Sequence, residues 1–546
     1  MKLSLSKSFA CASRSFACVA ALVAPVFAAA AAPPSANPAP AAAPAAGPFK
    51  PEAFASNGTV TVGGRKIAYQ AVAGTLVVHP RGWDDVAAET AAKTDHAKNP
   101  TAVASMFYVA YFKTGGGPRP ITFLYNGGPG SASLWLHMGA FGPRRVITAT
   151  DSHTPAAPYR VVDNAYSLLD VSDLVFIDAP GTGFSRVAGE HPAKAFYGVD
   201  QDAYAFGEFI KQFLTKYHRW NSPKYLFGES YGTTRSAVLI NDLESQDAID
   251  FNGVILLSQI FGFDFSPDLP TRNPGLDLPY ELALPTYAAT AWYHHKLPRE
   301  AGALEPFLAE VEKFAMGDYA QALAAGSDLD TATRNAIAAK LHDYTGLPVA
   351  YILRADLRID GGEFRQRLQL DEDLATGRLD TRFSGPALDP MSQRAEYDPQ
   401  ASALASAYVS AFNDYVRTDL HFDDHLAFKP MIPLYMTWDF AHRQPGQPAH
   451  VLQGRSGANV MPDLANAMKL DPNLQVQLNS GYFDLATPFF EGMYEMHHLP
   501  MPADLQRNIE IHHYQSGHMV YAKESSLAEL HRNVAAFIER TDRLSP

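Results

Sequence analysis

Ser230 sits at the centre of Gly228-Glu229-Ser230-Tyr231-Gly232. Small residues on either side of a serine suit a sharp strand-to-helix turn that pushes the hydroxyl outward. A serine hydroxyl is a poor nucleophile at neutral pH; it needs a base, and the base needs an orienting carboxylate. Asp484 follows in Ser480-Gly481-Tyr482-Phe483-Asp484, and His518 follows behind Gly517. Serine, acid, histidine is the chain order expected behind such a turn, so Ser230, Asp484 and His518 form the candidate catalytic set. His512 and His513 are rivals for the base. Strand alternation turns one of them to the core and one to solvent, and no turn swings either toward the serine. Asp439, Asp463 and Asp471 read as caps or surface groups. Cleaving an acyl bond also requires donors for an oxyanion. The candidates are the N–H of Tyr231, just after the nucleophile, and the N–H of Gly128 in Asn126-Gly127-Gly128-Pro129-Gly130. His294-His295 and His497-His498 lack a carboxylate at metal-ligand spacing, and Gly181-Thr182-Gly183 is too short for a dinucleotide loop. No metal and no cofactor are expected.

These groups must be positioned by something, and β-rich runs supply it. Residues 59–62 and 66–78 read as an early hairpin, and 106–112 as a further strand. The run 121–125 stops at the Asn126 turn, 174–177 at Asp178-Ala179-Pro180-Gly181, and 225–227 at the Ser230 turn. Strand 254–257 follows; 474–478 leads to Asp484 and 509–514 to His518. Residues 233–243 read as the helix behind the serine. Reactive residues thus cluster after strand ends, which is where open α/β sheets bind ligands. Helical periodicity from 286 to 339 predicts a helical lid.

The chain has 546 residues, of which 47% are hydrophobic, enough for a large core and too many for a disordered chain. Its net charge of −13, with no basic stripe, argues against a nucleic-acid partner. Lys2, Lys7 and Arg14 precede a greasy run from 16 to 32 that ends in small residues. That is the layout of a cleaved secretory signal, with an uncleaved anchor as the rival. The only cysteines, Cys11 and Cys18, lie within that leader, so the mature body uses no disulfide. The expected organisation is a signal at 1–30, an Ala/Pro-rich linker at 31–55, a core at 56–264, a cap at 265–455 and the rest of the core at 456–546. Export to periplasm or medium is expected, with no membrane contact after cleavage; oligomeric state is left open.

Four motifs together resemble the serine carboxypeptidase family, S10. They are Asn126-Gly127-Gly128-Pro129-Gly130-Ser131-Ala132-Ser133; Asp178-Ala179-Pro180-Gly181-Thr182-Gly183-Phe184-Ser185; Gly228-Glu229-Ser230-Tyr231-Gly232; and Asp484 with Gly517-His518-Met519-Val520. The resemblance implies an α/β-hydrolase fold, with a mostly parallel central sheet and a mainly helical cap insertion. It implies peptide substrates with a free C-terminal carboxylate, an acyl-enzyme on Ser230, His518 as base and then acid, and Asp484 as the orienting acid. Gly128 and Tyr231 would be the oxyanion donors; Asn126 and Glu229 would hold the terminal carboxylate. Two positions depart from the family. Ser131 stands where the family usually has a cysteine, and Ala140 where it usually has a second glutamate. The lost glutamate raises a competing expectation, an exported esterase or acyltransferase acting on small acylated compounds. It also makes Arg144, Arg145 and Arg235 candidates for a guanidinium clamp in its place.

Overall fold

A computed structural model describes residues 48–85, 99–268, 270–422, 425–434, 437–447 and 458–544. The expected signal lies outside the described residues. The hairpin forms from β1 (Ala53–Val62) and β2 (Arg65–Val78). Gly63 and Gly64 join them with φ of 54° and 76°, the left-handed backbone that a two-residue hairpin turn demands. The remaining strands of the main sheet are β3 (Val103–Lys113), β4 (Ile121–Tyr125), β5 (Asp173–Ile177), β6 (Arg186–Ala188), β7 (Lys224–Glu229), β8 (Gly253–Leu257), β9 (Gln475–Gly481) and β10 (Ile509–Tyr514). Helix α1 (Val199–Lys216) precedes β7, and α2 (Tyr231–Asp247) follows it. Between β8 and β9 come α3 (Leu278–Tyr293), α4 (Leu304–Phe314), α5 (Thr331–Thr345), α6 (Pro399–Thr418) and α7 (Met461–Leu470). Helix α8 (Phe489–His497) links β9 to β10, and α9 (Glu524–Thr541) comes last.

The sheet runs β1-β2-β3-β5-β4-β7-β8-β9-β10, with β6 beside β3. Strands β1 to β3 form an antiparallel meander that joins β5 antiparallel. The strands from β5 to β10 in this order are parallel neighbours. This is the α/β-hydrolase arrangement. The chain leaves β4 toward β5, then crosses back to β7 and runs the other way. That reversal opens a crevice beyond the ends of β4 and β7. The Asn126 and Ser230 turns sit at these two ends.

Alternation fixes what each strand buries. Val254 and Leu256 of β8 join the apolar layer that includes Phe206 of α1, Leu239 of α2 and Leu464 of α7. Ile255 and Leu257 join the opposite layer, with Tyr408 and Phe412 of α6 and Leu530 and Val534 of α9. A sheet covered on both faces needs apolar residues in both registers, hence the unbroken Gly-Val-Ile-Leu-Leu run. A third cluster belongs to the insertion. Tyr287 of α3, Leu308 of α4 and Leu341 of α5 pack there with Phe483 and Leu485. The stretch 265–455 therefore contains two packings: α3 to α5 build a separate helical body, whereas α6 lies on the sheet.

Candidate active site

The nucleophile turn is held by close approach. Ser230 has φ 60° and ψ −130°, a left-handed conformation rare for any residue with a side chain. A Cβ on Gly228 would stand 2.2 Å from Gly232 O, so the turn closes only with glycine there. Ser230 N–H donates to Leu257 O at the end of β8, and Thr233 Oγ1 donates back to Ser230 O at 2.7 Å. Helix α2 starts at Tyr231, so the N–H groups of Tyr231 and Gly232 lie at its start without a helical acceptor, whereas Thr233 N–H donates to Ser230 O at 2.8 Å.

The glycine-rich loop after β4 lies directly on that helix start. A Cβ on Gly127 would come within 2.4 Å of Tyr231 N and 2.5 Å of Gly232 N. Gly128 has φ 110° and is exposed beside it. The loop is braced by the turn after β5: Asp178 Oδ1 accepts Ser133 N–H at 2.8 Å, and Ser185 Oγ donates to Asp178 O at 2.9 Å. Burial pushes the Asp178 carboxyl up to about 7. From the insertion, Ala132 N–H donates to Pro430 O and Ile432 N–H to Gly130 O.

Acid and base meet across β9 and β10. His518 Nδ1 stands 2.8 Å from Asp484 Oδ2, so the N–H is on Nδ1 and Nε2 is left as the basic nitrogen. Asp484 is wholly buried and also accepts Ala486 N–H, Thr487 N–H and Thr487 Oγ1 at 2.7 to 3.0 Å. His518 O accepts Ser258 Oγ at 2.8 Å. The serine turn and the histidine loop are thus tied to the consecutive residues Leu257 and Ser258. Burial disfavours the charged imidazole, but the Asp484 carboxylate and, more weakly, Glu229 outweigh it and hold the His518 pKa above its ordinary value.

Glu229, the residue directly before the serine, is 3% exposed. Desolvation raises its pKa to about 7, against the lowering pull of His518 and a hydrogen bond from Tyr521. Tyr521 Oη donates to both carboxylate oxygens, at 2.9 and 3.1 Å. Asn126 accepts Leu136 N–H through Oδ1 at 3.1 Å, which fixes its side chain. Ala140 lies in the π-helical turn Leu136–Phe141, and the Tyr521 ring packs on its neighbour Gly139.

The three arginines considered as clamps are engaged elsewhere. Arg235 is fully buried, bonded to Asp202 through Nε at 2.6 Å and to Asn126 O through Nη1 at 2.9 Å. Arg144 pairs with Asp163, and Arg145 with Glu524 at 3.2 Å. Of the rival histidines, His513 packs against Tyr482 and Phe489, with its pKa lowered by burial to about 4, and His512 lies 3.5 Å from Glu510. Asp463 is not a surface group: it is buried and bonds His442, which bridges it to Asp200. Sequence reasoning missed Thr487, Ser258 and Tyr521. Only Thr487 left a signal, since Asp-x-x-Thr is the spacing at which an aspartate caps its own following turn.

Residues 90–258 match a family model described as serine carboxypeptidase. That segment is similar to the serine carboxypeptidase family. A pheromone-processing carboxypeptidase KEX1 from Cryptococcus gattii is 29% identical over 127 residues, 23% of this chain and 18% of that one. A carboxypeptidase Y homolog from Arthroderma benhamiae is 30% identical over 172 residues, 30% of this chain and 32% of that one. The chain thus spans no more than about a third of the curated relatives' length. A proline iminopeptidase structure from Mycobacterium smegmatis is 13% identical, covering 89% of this chain and 99% of its own, with TM-score 0.32. The fold assignment rests on the strand order instead. The family match takes in the loops of Gly128 and Ser230 and ends before Asp484 and His518.

Proposed function

We propose that this protein is a serine carboxypeptidase that removes C-terminal residues from peptides through an acyl-enzyme on Ser230. The observation that carries the reading is the buried 2.8 Å Asp484–His518 pair, whose loop is tied to the residue next to the one holding Ser230. His518 Nε2 takes the Ser230 proton as Oγ bonds to the scissile carbonyl carbon. The carbonyl oxygen becomes an oxyanion, met by the N–H groups of Gly128 and Tyr231. Collapse breaks the C–N bond, and His518 returns its proton to the departing amine. Water then repeats the attack on the ester with the same base and frees Ser230. Asp484 stabilises the imidazolium throughout and fixes its tautomer.

Glu229 and Asn126 are the proposed receptors for the substrate's terminal carboxylate. A carboxyl group binds another carboxylate only as a proton donor, and burial raises Glu229 enough to keep it protonated in mildly acidic water. Tyr521 bonds Glu229 and packs on Gly139, next to Ala140, the position where the family usually has a second glutamate. We further propose export, on the strength of the basic and apolar leader; the N-terminal sequence of the mature protein from cell fractions tests this.

Purified protein is offered an N-blocked dipeptide, its C-terminal amide and a simple ester. Preference for the free acid is expected, with release of a free amino acid that disappears in Ser230→Ala. Activity on the ester alone would replace this reading with that of an esterase or acyltransferase.

A further inference from the structure

The acid and base stand on loops after different strands, 483–485 after β9 and 516–518 after β10. Phe483 N–H reaches Ser516 O directly at 3.0 Å. A turn of the insertion, 378–382, bonds to both loops at once. Leu485 N–H donates to Arg378 O at 3.1 Å, and Thr381 N–H to Phe483 O at 2.9 Å. On the other loop His518 N–H donates to Leu379 O at 2.6 Å, and Gly517 N–H to Asp380 Oδ2 at 3.1 Å. The fit leaves no slack, since a Cβ on Gly517 would stand 2.4 Å from that of Asp380. Asp380 and Arg382 form a bidentate pair with side chains 0% and 3% exposed, and Arg382 Nη2 donates onward to Ser516 Oγ at 3.2 Å.

The same turn is anchored outward. Thr290 of α3 bonds Thr381 Oγ1 at 2.7 Å, and His294 Nε2 bonds Thr381 O at 2.6 Å. Asp398, which caps α6, accepts the N–H groups of Arg378 and Leu379. A buried ion pair adds little net stability, because desolvation offsets its attraction. Its geometry, however, is single-valued, and here it is spent on the two catalytic loops.

We propose that Asp380 and Arg382 are positioning residues of the triad: the 378–382 turn clasps the acid and base loops together, so the insertion sets the Asp484–His518 geometry. The inference rests on the catalytic reading of Ser230, Asp484 and His518. Its test therefore avoids any choice of substrate and follows the rate at which a fluorophosphonate labels Ser230. Asp380→Asn keeps an acceptor for Gly517 but weakens the ion pair; labelling is expected to slow about tenfold or more, as misplaced catalytic groups cost. Its acidic limb moves to lower pH, because His518, which faces Asp484, Glu229 and Arg378, loses part of the pairing that raises its pKa. Ser516→Ala, which removes one hydrogen bond, is expected to slow labelling about threefold. Arg358→Gln breaks the Arg358–Asp277 pair elsewhere in the insertion; it should lower the melting temperature and leave labelling within about twofold. Labelling of Asp380→Asn within twofold of wild type, or slowed no more than in Arg358→Gln, overturns the proposal. If Asp380→Asn fails to fold, an unchanged rate in Ser516→Ala overturns it. Wild-type protein that takes no label overturns the catalytic reading, and the inference with it.

Discussion

Ser230 carries its strain in the backbone. A left-handed φ with a side chain costs on the order of 1–3 kcal/mol, relieved when the side chain is removed. Ser230→Gly should therefore melt higher than Ser230→Ala, with both variants inactive; equal melting temperatures would contradict stored strain. Glu229 and His518 each shift the other's pKa, and each sets one limb of the pH profile. Neutral His518 is required as base, and kcat/KM therefore rises with pH through its elevated pKa. Protonated Glu229 is required for a free-acid substrate, and activity on that substrate falls as pH rises past about 7. An ester without a carboxylate should lack the alkaline limb. Tyr521 stabilises the ionised form of Glu229, so Tyr521→Phe should move that limb to higher pH. A limb that stays in place would remove Glu229 from substrate binding.

At the scale of elements, the site depends on two turns that meet without side chains between them. Gly127→Ala would drive a methyl into Tyr231 N, separating the Gly128 loop from α2. Displacing one oxyanion donor costs about 10²–10³ in kcat. A loss of that size is expected in steady-state assays, with KM changed far less; full activity would mean that the Gly128 loop is no part of the oxyanion site. The strand ends and the Ser230 turn were legible in the sequence because short β-rich runs and glycine turns are local signals. The bonds that hold the acid and base loops were not, apart from Thr487, because Ser258, which bonds His518 O, and Arg378, which bonds Leu485 N–H, come from separate strands and loops. The arginines failed as clamps for a similar reason: Arg235 reads as an available cation until its buried partner Asp202, on another helix, is known.

Across the whole molecule, buried carboxyls and histidines set the pH dependence of stability. Burial raises Asp178 and Glu229 to about 7 and Glu495 to about 8, each above its unfolded value. A group raised on folding contributes fully below its unfolded pKa and loses that contribution as pH rises through the folded one. His442 follows the same sign: burial opposes its charge, but bonds to Asp200 and Asp463 raise it to about 10. His137 and His513 act oppositely, since burial lowers them to about 3 and about 4, and they penalise acid. The melting temperature is therefore expected to fall between about pH 6.5 and pH 9. A scan in which it rises across that window would contradict the roles of His442 and Glu495.

The amino-acid sequence alone determined where strands end and which residue types stand there, since alternation and glycine turns act over a few neighbours. It also carried the motifs that resemble the family, three of them contiguous runs and the fourth joining Asp484 to the run 517–520. The meeting of 484 with 518, the occupation of the space beside Glu229 by Tyr521, and the clasp from 378–382 were decided only in three dimensions. Each joins segments that the sheet order and the packing of the insertion bring together, and no local pattern records which distant loop a hydrogen bond will reach.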